Sequence, residues 1–330
     1  MFFSVLQLRA QETCTEKLIK ANNYYEKGRI NEALEIGNAC ALEARSNAEK
    51  WQAYRLLAIS YLVNNQQKEA RKAAEKMLEL NPTYRPSALK DPTELIRLLK
   101  KIIVIPKFSM GLAVTLGGNY TLPYVSANYN AGDYNKNYSS ESSWQLGVIL
   151  GYSLNPLLSL HSGLMASSKT YGIDFNVAGW NVNVKERLVY LDVPLFARFT
   201  FMQKRRLRLF ADVGVYGGYL LSSQSDFSRN YSATNENVST RNLNSDQRRN
   251  NWEYGLLYGA GAMYKFGQLN IALDVKYYLS YANITNEDNR YKFENLFYPY
   301  YYIDDNLSLN NLAFSLSLIY NVNYRVIKEK

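Results

Sequence analysis

Charged side chains that alternate with apolar ones along several segments are the residues of this sequence that could do chemistry. In LRLFADVGV, Arg208 and Asp212 share a face with Phe210, whereas the opposite face is entirely apolar. The same placement recurs in other segments, so charges of both signs would share one interior. The charges predicted to face that interior are Lys169, Asp192, Arg198, Arg208, Asp212, Glu253, Lys265, Asp274 and Lys276.

Such an interior has two interpretations. The charges could line a path for protons or ions, or they could pair and hold the interior shut. If the interior is that of an eight-stranded barrel, it is just wide enough to be filled by its own side chains, which favours the second interpretation. The predicted lumen charge network consists of Arg208, Asp212, Asp274, Lys276, Asp192, Arg198, Glu253 and Lys265.

The sequence gives little reason to expect catalysis. His161 is the only histidine, and a lone histidine is usually a satisfied structural residue. A metal site needs several ligands of suitable type, and no nucleophile motif marks a Ser-His-Asp arrangement. We therefore expect no enzymatic activity, no cofactor and no metal.

The elements that would position these charges are long strands. In WEYGLLYGAGAMYKF, residues 252–266, the even-numbered side chains form an apolar face with aromatics near both ends. The odd-numbered side chains are mostly small or charged. This period of two predicts a strand, and the length suits a tilted membrane span of about 9–11 residues plus its ends.

This design repeats and predicts an antiparallel, eight-stranded transmembrane β-barrel. The predicted strands are 107–119, 143–154, 157–171, 182–201, 206–221, 252–266, 269–283 and 308–322. Short turns alternate with long polar loops at 120–142, 172–181, 222–251 and 284–307. Long loops are extracellular in outer-membrane barrels, and an even strand number puts both barrel ends in the periplasm.

Residues 12–105 are predicted to be helical, because apolar positions recur every three or four residues. Two sets of residues stand at the spacing of the tetratricopeptide repeat: Ala21, Tyr24, Gly28 and Ala33, and then Tyr54, Leu57, Ala58, Tyr61, Ala70, Ala74, Met77 and Pro82. The segment resembles a tetratricopeptide domain with two repeats and a cap helix beginning at Pro92. Such domains bind peptides or proteins, which implies a partner face at Tyr24, Tyr54 and Tyr61; a helical spacer without a partner is the alternative.

Two stretches of the barrel segment carry a second resemblance. LVYLDVPLFARFTF, residues 188–201, contains Tyr-Leu-Asp-Val-Pro-Leu, and ALDVKYYLSYANI, residues 272–284, ends on Asn283 and Ile284. Both stretches resemble characteristic parts of the PorT-like outer-membrane barrel family of Bacteroidetes, over about residues 108–322. The resemblance implies a barrel anchored in the outer membrane. The basic end of the chain departs from it, since the last strand is not followed by a terminal aromatic.

Charge and cysteine content bear on the class of protein and on its cellular compartment. The net charge of +9 is spread along the predicted helices, and no basic stripe belongs to a known nucleic-acid-binding module. Residues 1–11 resemble the tail of a secretory signal peptide ending at Ala10; the first turn of a helix is the alternative. Cys14 and Cys40 could pair in an oxidising periplasm, but spacing alone leaves this open.

The sequence therefore predicts an α + β chain of two domains. The divisions are a signal-peptide remnant at 1–11, a periplasmic tetratricopeptide-like domain at 12–105, the barrel at 106–324 and a basic tail at 325–330. The favoured function is a non-enzymatic outer-membrane anchor whose helices dock periplasmic or outer-membrane protein partners of a secretion or assembly complex. A surface receptor or adhesin acting through the long loops is the alternative, and a narrow channel is a further one. Membrane lipid is an expected partner and nucleic acid is not.

Overall fold

The computed structural model describes residues 13–125, 136–177, 179–204, 206–231 and 236–327. The chain divides into two compact units, one comprising Met1–Pro106 with Tyr324–Lys330 and the other comprising Lys107–Asn323. The predicted signal-peptide remnant at 1–11 lies outside the described residues.

The first unit is helical over its described part. Its helices are α1 (Cys14–Glu26), α2 (Ile30–Glu43), α3 (Asn47–Val63), α4 (Gln67–Leu80) and α5 (Thr93–Lys101). Capping boxes built on Thr13 and Ser46 satisfy free backbone N–H groups where α1 and α3 begin. None of the described helices is long and apolar enough to cross a membrane.

Small residues let these helices pack closely, each against the next along the chain from α1 to α4. The fully buried alanines are Ala21, Ala33, Ala53, Ala58, Ala70 and Ala74. Larger side chains such as Leu57 and Met77 fill the remaining core of this unit. The result is two consecutive helical hairpins followed by α5, whose Leu95 and Leu99 join the same core.

A disulfide joins the two helices of the first hairpin. Cys14 on α1 and Cys40 on α2 are bonded, with Cα atoms 5.3 Å apart and a sequence separation of 26 residues. A crosslink of this kind restricts the unfolded chain and typically stabilises a fold by about 2–4 kcal/mol. The bond resolves the question that the spacing of the cysteines left open.

Removing the disulfide is expected to destabilise the helical unit selectively. We expect Cys14→Ser to lower its free energy of unfolding by about 3 kcal/mol. Thermal unfolding of the full chain in detergent, followed by circular dichroism at a helix-specific wavelength, measures this change. Reductant should shift the wild-type transition to the position of the variant and leave the variant unchanged. If Cys14→Ser unfolds where the oxidised wild type does, the crosslink contributes no stability.

The second unit is one antiparallel sheet closed into a ring. Its described strands are β1 (Ile103–Val125), β2 (Asn137–Ser153), β3 (Leu158–Val177), β4 (Trp180–Lys204), β5 (Leu207–Tyr231), β6 (Glu236–Asn244), β7 (Trp252–Phe266), β8 (Leu269–Ser280) and β9 (Asn306–Ile327). Each ring strand pairs with the next, and the pairing of β9 with β1 closes the ring. The predicted ring of eight strands is therefore confirmed, and β6 is an addition that pairs with the far end of β5.

The predicted loops at 172–181 and 222–251 are wrong. β3 and β4 continue as a hairpin until Val177 pairs with Trp180, and the second region contains the end of β5, all of β6 and a 3-10 turn. The region 284–307 also has structure of its own, namely a 3-10 turn and the short helix α6 (Glu294–Tyr300). β9 runs to Ile327, so the first residues of the predicted tail continue a strand.

The missed strand ends have one physical cause, which is a reversal of polarity along the strands. Over the middle of the ring the outward side chains form an exposed apolar belt; one example per strand is Leu112, Leu146, Leu164, Val193, Val213, Tyr258, Leu273 and Phe314. Beyond the belt on β4, Lys185 and Arg187 face outward while Val182 and Val184 are buried inside. The outward pattern that identifies a membrane strand is lost there, although the strand continues.

Candidate functional site

The interior of the ring, the lumen, contains layers of charged side chains. The first layer lies near the end of the ring where short turns join β2 to β3, β4 to β5 and β7 to β8, which is called the short-turn end. Arg198 on β4 stands opposite Asp212 on β5. Its Nε and one terminal nitrogen donate to the two Asp212 carboxylate oxygens at 2.8 and 2.7 Å. Asp274 lies 3.9 Å from the same guanidinium and pairs with Lys276. These four residues, Arg198, Asp212, Asp274 and Lys276, are the lower layer.

A second set of charges, the middle layer, consists of Lys169, Asp192 and Glu253. The Lys169 ammonium is 2.6 Å from Glu253 and 3.8 Å from Asp192. The Tyr216 hydroxyl donates to the other Glu253 oxygen at 2.9 Å. The Lys169 ammonium also lies 4.9 Å from the centroid of the Tyr190 ring, where a cation is attracted by the aromatic face.

Apolar and aromatic side chains fill the space around these layers. Phe196, Tyr216, Leu257, Tyr278 and Ala313 form one buried cluster. Phe210, Tyr190 and Leu257 have no accessible surface. Side chains without accessible surface cannot line a water-filled pore, so the described lumen is filled at these levels.

The opposite end of the ring carries an upper cluster of Glu186, Arg248, Arg249 and Asp304. Arg248 donates to both carboxylate oxygens of Asp304, at 2.8 and 2.7 Å. Arg249 donates to Glu186 at 2.6 Å and to Asp304 at 2.9 Å. Two cations are thus matched by two anions, all of them buried. Glu186 comes from β4, whereas the other three lie in connections between strands.

The opposed charges keep the upper cluster ionised. Burial alone would raise the pKa of the Asp304 carboxyl, but Arg248 and Arg249 outweigh that effect and hold the pKa below its ordinary value. The pKa of Glu186 is lowered in the same way, against burial, by Arg249 and Arg248. Burial alone would lower the pKa of the Arg249 guanidinium, but the negative charges of Asp304 and Glu186 outweigh burial and raise this pKa above its ordinary value.

An apolar core surrounds the upper cluster and closes this end. Phe227 of β5 packs against Tyr300 and Tyr302, with ring centroids 5.2 and 5.3 Å apart. Leu296 of α6 and Ile284 are buried in the same core. The connection between β8 and β9 therefore folds over the end of the barrel.

Most of the predicted charge network lies in the two lumen layers. Arg198, Asp212, Asp274 and Lys276 are in the lower layer, and Asp192 and Glu253 are in the middle layer. Arg208 and Lys265 are half-buried near the short-turn end and belong to neither layer. The prediction missed the upper cluster, although Glu186 lies on the same even-numbered face of β4 as Asp192. Arg248, Arg249 and Asp304 lie outside the regular strands, where periodicity carries no signal.

The structure places the three predicted partner tyrosines in different local surroundings. Tyr24 lines a groove between α1 and α2 of about 360 Å³. Tyr54 is half-buried against the helical core. The Tyr61 hydroxyl accepts a bond from Asn38 of α2 at 3.3 Å. His161 stacks on Phe196 with ring centroids 5.2 Å apart, and the described residues contain no cluster of three or more metal-ligating side chains.

A closed antiparallel ring with an apolar outer belt defines an outer-membrane β-barrel. The model of the outer membrane protein beta-barrel domain family matches residues 108–286, and the chain belongs to this family. This membership locates the protein in the outer membrane. No curated protein matches the sequence.

Several solved barrels are similar to this chain. Ail, the attachment invasion locus protein of Yersinia pestis, is 10% identical over 65% of this chain and 99% of its own, with a TM-score of 0.30. OprG from Pseudomonas aeruginosa is 12% identical over 65% and 95%, with a TM-score of 0.36. Neisserial surface protein A is 9% identical over 66% and 98%, with a TM-score of 0.29.

Breaking the ion pair in the lower layer should be costly, and replacing both partners should not. We expect Arg198→Met to reduce the free energy of unfolding by about 3–5 kcal/mol, because Asp212 would be buried without its partner. The double variant Arg198→Met with Asp212→Leu should recover most of this loss. Urea unfolding in detergent micelles measures both. Strictly additive losses would show that the two side chains do not interact.

The upper cluster should make the closed end sensitive to acid only well below neutral pH. Because the folded pKa values of Asp304 and Glu186 are lowered, their stabilising contribution is complete above about pH 5 and is lost progressively as the pH falls below it. Asp304→Asn should be less stable than the wild type at pH 7 and should lose less stability below that pH. The half-exposed pair of Glu141 with Lys185 provides the control variant Glu141→Gln, for which we expect the wild-type profile. Unfolding in urea across this pH range is the measurement, and parallel profiles for Asp304→Asn and wild type would contradict the assignment.

Proposed function

We propose that this chain is a closed, non-enzymatic outer-membrane anchor whose helical domain docks a protein partner of a cell-envelope complex. The observation that carries the proposal is the filled lumen. Charges are paired in the lower layer and in the upper cluster, and buried aromatic side chains occupy the space between them. A barrel filled in this way favours a role for the regions at its ends over the conduction of solutes.

Chain topology supports a periplasmic helical domain. α5 ends at Lys101 and β1 begins at Ile103, so the helices connect directly to the strand end that lies beside the short turns. The ring has an even number of strands, and short turns face the periplasm in this class of barrel. The disulfide between Cys14 and Cys40 fits the same compartment, because such bonds persist in the oxidising periplasm.

The helical unit supports partner docking through its repeat-like construction. Two hairpins closed by small residues and followed by α5 match the tetratricopeptide resemblance of the sequence. The groove between α1 and α2 carries both signs of charge beside an aromatic ring; its lining residues are Lys17, Lys20, Tyr24, Glu32, Glu35, Ile36 and Ala39. Such a surface suits a peptide of mixed charge with an apolar side chain. The PorT-like stretches at 188–201 and 272–284 favour a complex of the secretion or assembly type.

A surface receptor is the second candidate, and the folded extracellular end favours it. A cavity of about 180 Å³ opens beside the upper cluster and is lined in part by Arg290, Phe293 and Tyr302. Tyr291 and Tyr298 are exposed at its edge. In this alternative the ligand would bind at that cavity, and the helical domain would serve as a spacer.

A pull-down from the native outer membrane in gentle detergent, analysed by mass spectrometry, tests the proposal. The variant is Tyr24→Ala with Glu35→Lys in the groove, and the control is Lys68→Glu, an exposed position on α4. Tyr54 and Tyr61 remain unchanged because both pack against the helical core. We expect partner proteins to co-purify with the wild type and the control and to be lost from the groove variant.

Two results would count against the anchor proposal. If partners bind the groove variant as well as they bind the control, the groove takes no part in the interaction. Partners that are lost only when Tyr291 and Tyr298 are changed to alanine would transfer the function to the extracellular end. Circular dichroism of each purified variant must show the wild-type helix content before either result is interpreted.

A further inference from the structure

The outer face of the barrel has a notch where β7 and β8 end and β5 changes its partner from β7 to β6. Residues 207–219 of β5 pair with β7, whereas residues 224–231 pair with β6. The notch has a volume of about 420 Å³, and its lining residues are Arg249, Asn250, Asn251, Trp252, Tyr254, Ala282, Asn283 and Asn286. Aromatic side chains form its lower wall, and amide side chains form the wall above.

The notch lies at the depth of the outer membrane–water interface. Trp252 and Tyr264 both face outward, near the two ends of β7. At ~3.3 Å per residue and a strand tilt of about 40°, they are separated by roughly 30 Å along the barrel axis, the thickness of a hydrocarbon core. Trp252 belongs to the end with the long connections, so the notch faces the headgroups of the outer leaflet.

The aromatic wall is large and exposed. Trp252 is 65% exposed and Tyr254 is 58% exposed. Tyr281, which follows the last residue of β8 and whose backbone N–H donates to the carbonyl oxygen of Tyr254, is 53% exposed. Tyr219 holds Trp252 edge-on, with ring centroids 5.0 Å apart. Interfacial aromatics are usual in barrels, and the additional feature of this notch is the exposed amide of Asn251 beside Trp252.

The amide wall is held in position by bonds to the backbone. Asn250 Nδ2 donates to the carbonyl oxygens of Asn283 and Thr285, at 2.8 and 3.0 Å. Asn283 Oδ1 accepts from the N–H groups of Thr285 and Leu307, at 3.0 and 3.1 Å. Asn251 is exposed at the mouth of the notch. A wall that is already ordered loses little conformational freedom when a ligand binds.

The electrostatics of the notch favour an uncharged ligand. Among the residues that the structure describes, Arg249 is the one charged residue in the lining, and Glu186 and Asp304 neutralise it from inside the barrel. A phosphate would therefore find no unmatched cation in this lining. Hydroxyl groups suit the amides, and the apolar C–H face of a ring suits Trp252 and Tyr254.

We propose that the notch binds a sugar ring in the saccharide headgroup of an outer-leaflet glycolipid. The ring packs on Trp252 and Tyr254, and its hydroxyls bond to the amide wall, chiefly through Asn251. The acyl chains of the same lipid continue down the apolar belt beside Leu256 and Tyr258 of β7, which face outward below the notch. The site requires the barrel to be in its membrane and does not depend on the partner of the helical domain.

Titration of the full chain in phospholipid nanodiscs tests this site, with lipooligosaccharide as the probe and binding read by native mass spectrometry. We expect Trp252→Ala to weaken binding about tenfold. Asn251→Ala, an exposed substitution that spares the aromatic wall, should weaken it by a smaller factor. Trp144→Ala is the matched control, because Trp144 is an outward tryptophan of β2 that is 47% exposed. This control should bind as the wild type does.

Three outcomes would overturn the proposal. The first is equal binding by Trp252→Ala and Trp144→Ala when both show the wild-type circular dichroism spectrum. The second is competition by phosphatidylglycerol at the same concentration, which would make the notch a general lipid contact. The third is equally tight binding of the delipidated oligosaccharide, which would identify a soluble sugar rather than a membrane lipid as the ligand.

Discussion

The requirement that every backbone polar group be hydrogen-bonded inside the membrane governs the rest of this structure. In hydrocarbon an unpaired strand edge is too costly, so the strands close into a ring through the pairing of β9 with β1. Closure with eight strands leaves an interior only wide enough for side chains. Any charge placed there must find an opposite charge, as Arg198 does with Asp212 and Lys169 with Glu253.

The same strands meet a second solvent beyond the membrane, and their polarity reverses there. On β4, Val193 and Leu195 face lipid, whereas Lys185 and Arg187 face water farther along the strand. The interior changes in the opposite sense, from charged layers to a core built on Val182, Phe227 and Tyr300. The part of the ring beyond the apolar belt is therefore a folded structure with its own core, and the upper cluster is the ionic element inside it.

Because the lumen is filled, the surfaces outside it are the candidate binding sites of this protein. The helical unit supplies two hairpins, the first of which is crosslinked by a disulfide and carries a mixed-charge groove. The end of the ring with the long connections supplies a small cavity beside α6, and the outer face of the barrel supplies the notch. These surfaces are different in chemistry: the groove carries charges of both signs, the cavity lies beside the upper cluster, and the notch combines aromatic rings with amides.

By itself the sequence determined the ring of eight strands and the inward direction of most lumen charges. Alternation along a strand is a local property, so it can be recognised wherever one face meets lipid. Only the tertiary structure decided which charges meet, because the pairing of Arg198 with Asp212 depends on strand register. It also decided the upper cluster, since Arg248, Arg249 and Asp304 come from aperiodic segments far apart in the chain. The strand ends at 172–181 and 222–231 were missed for a related reason: water replaces lipid outside them, and the outward apolar pattern disappears.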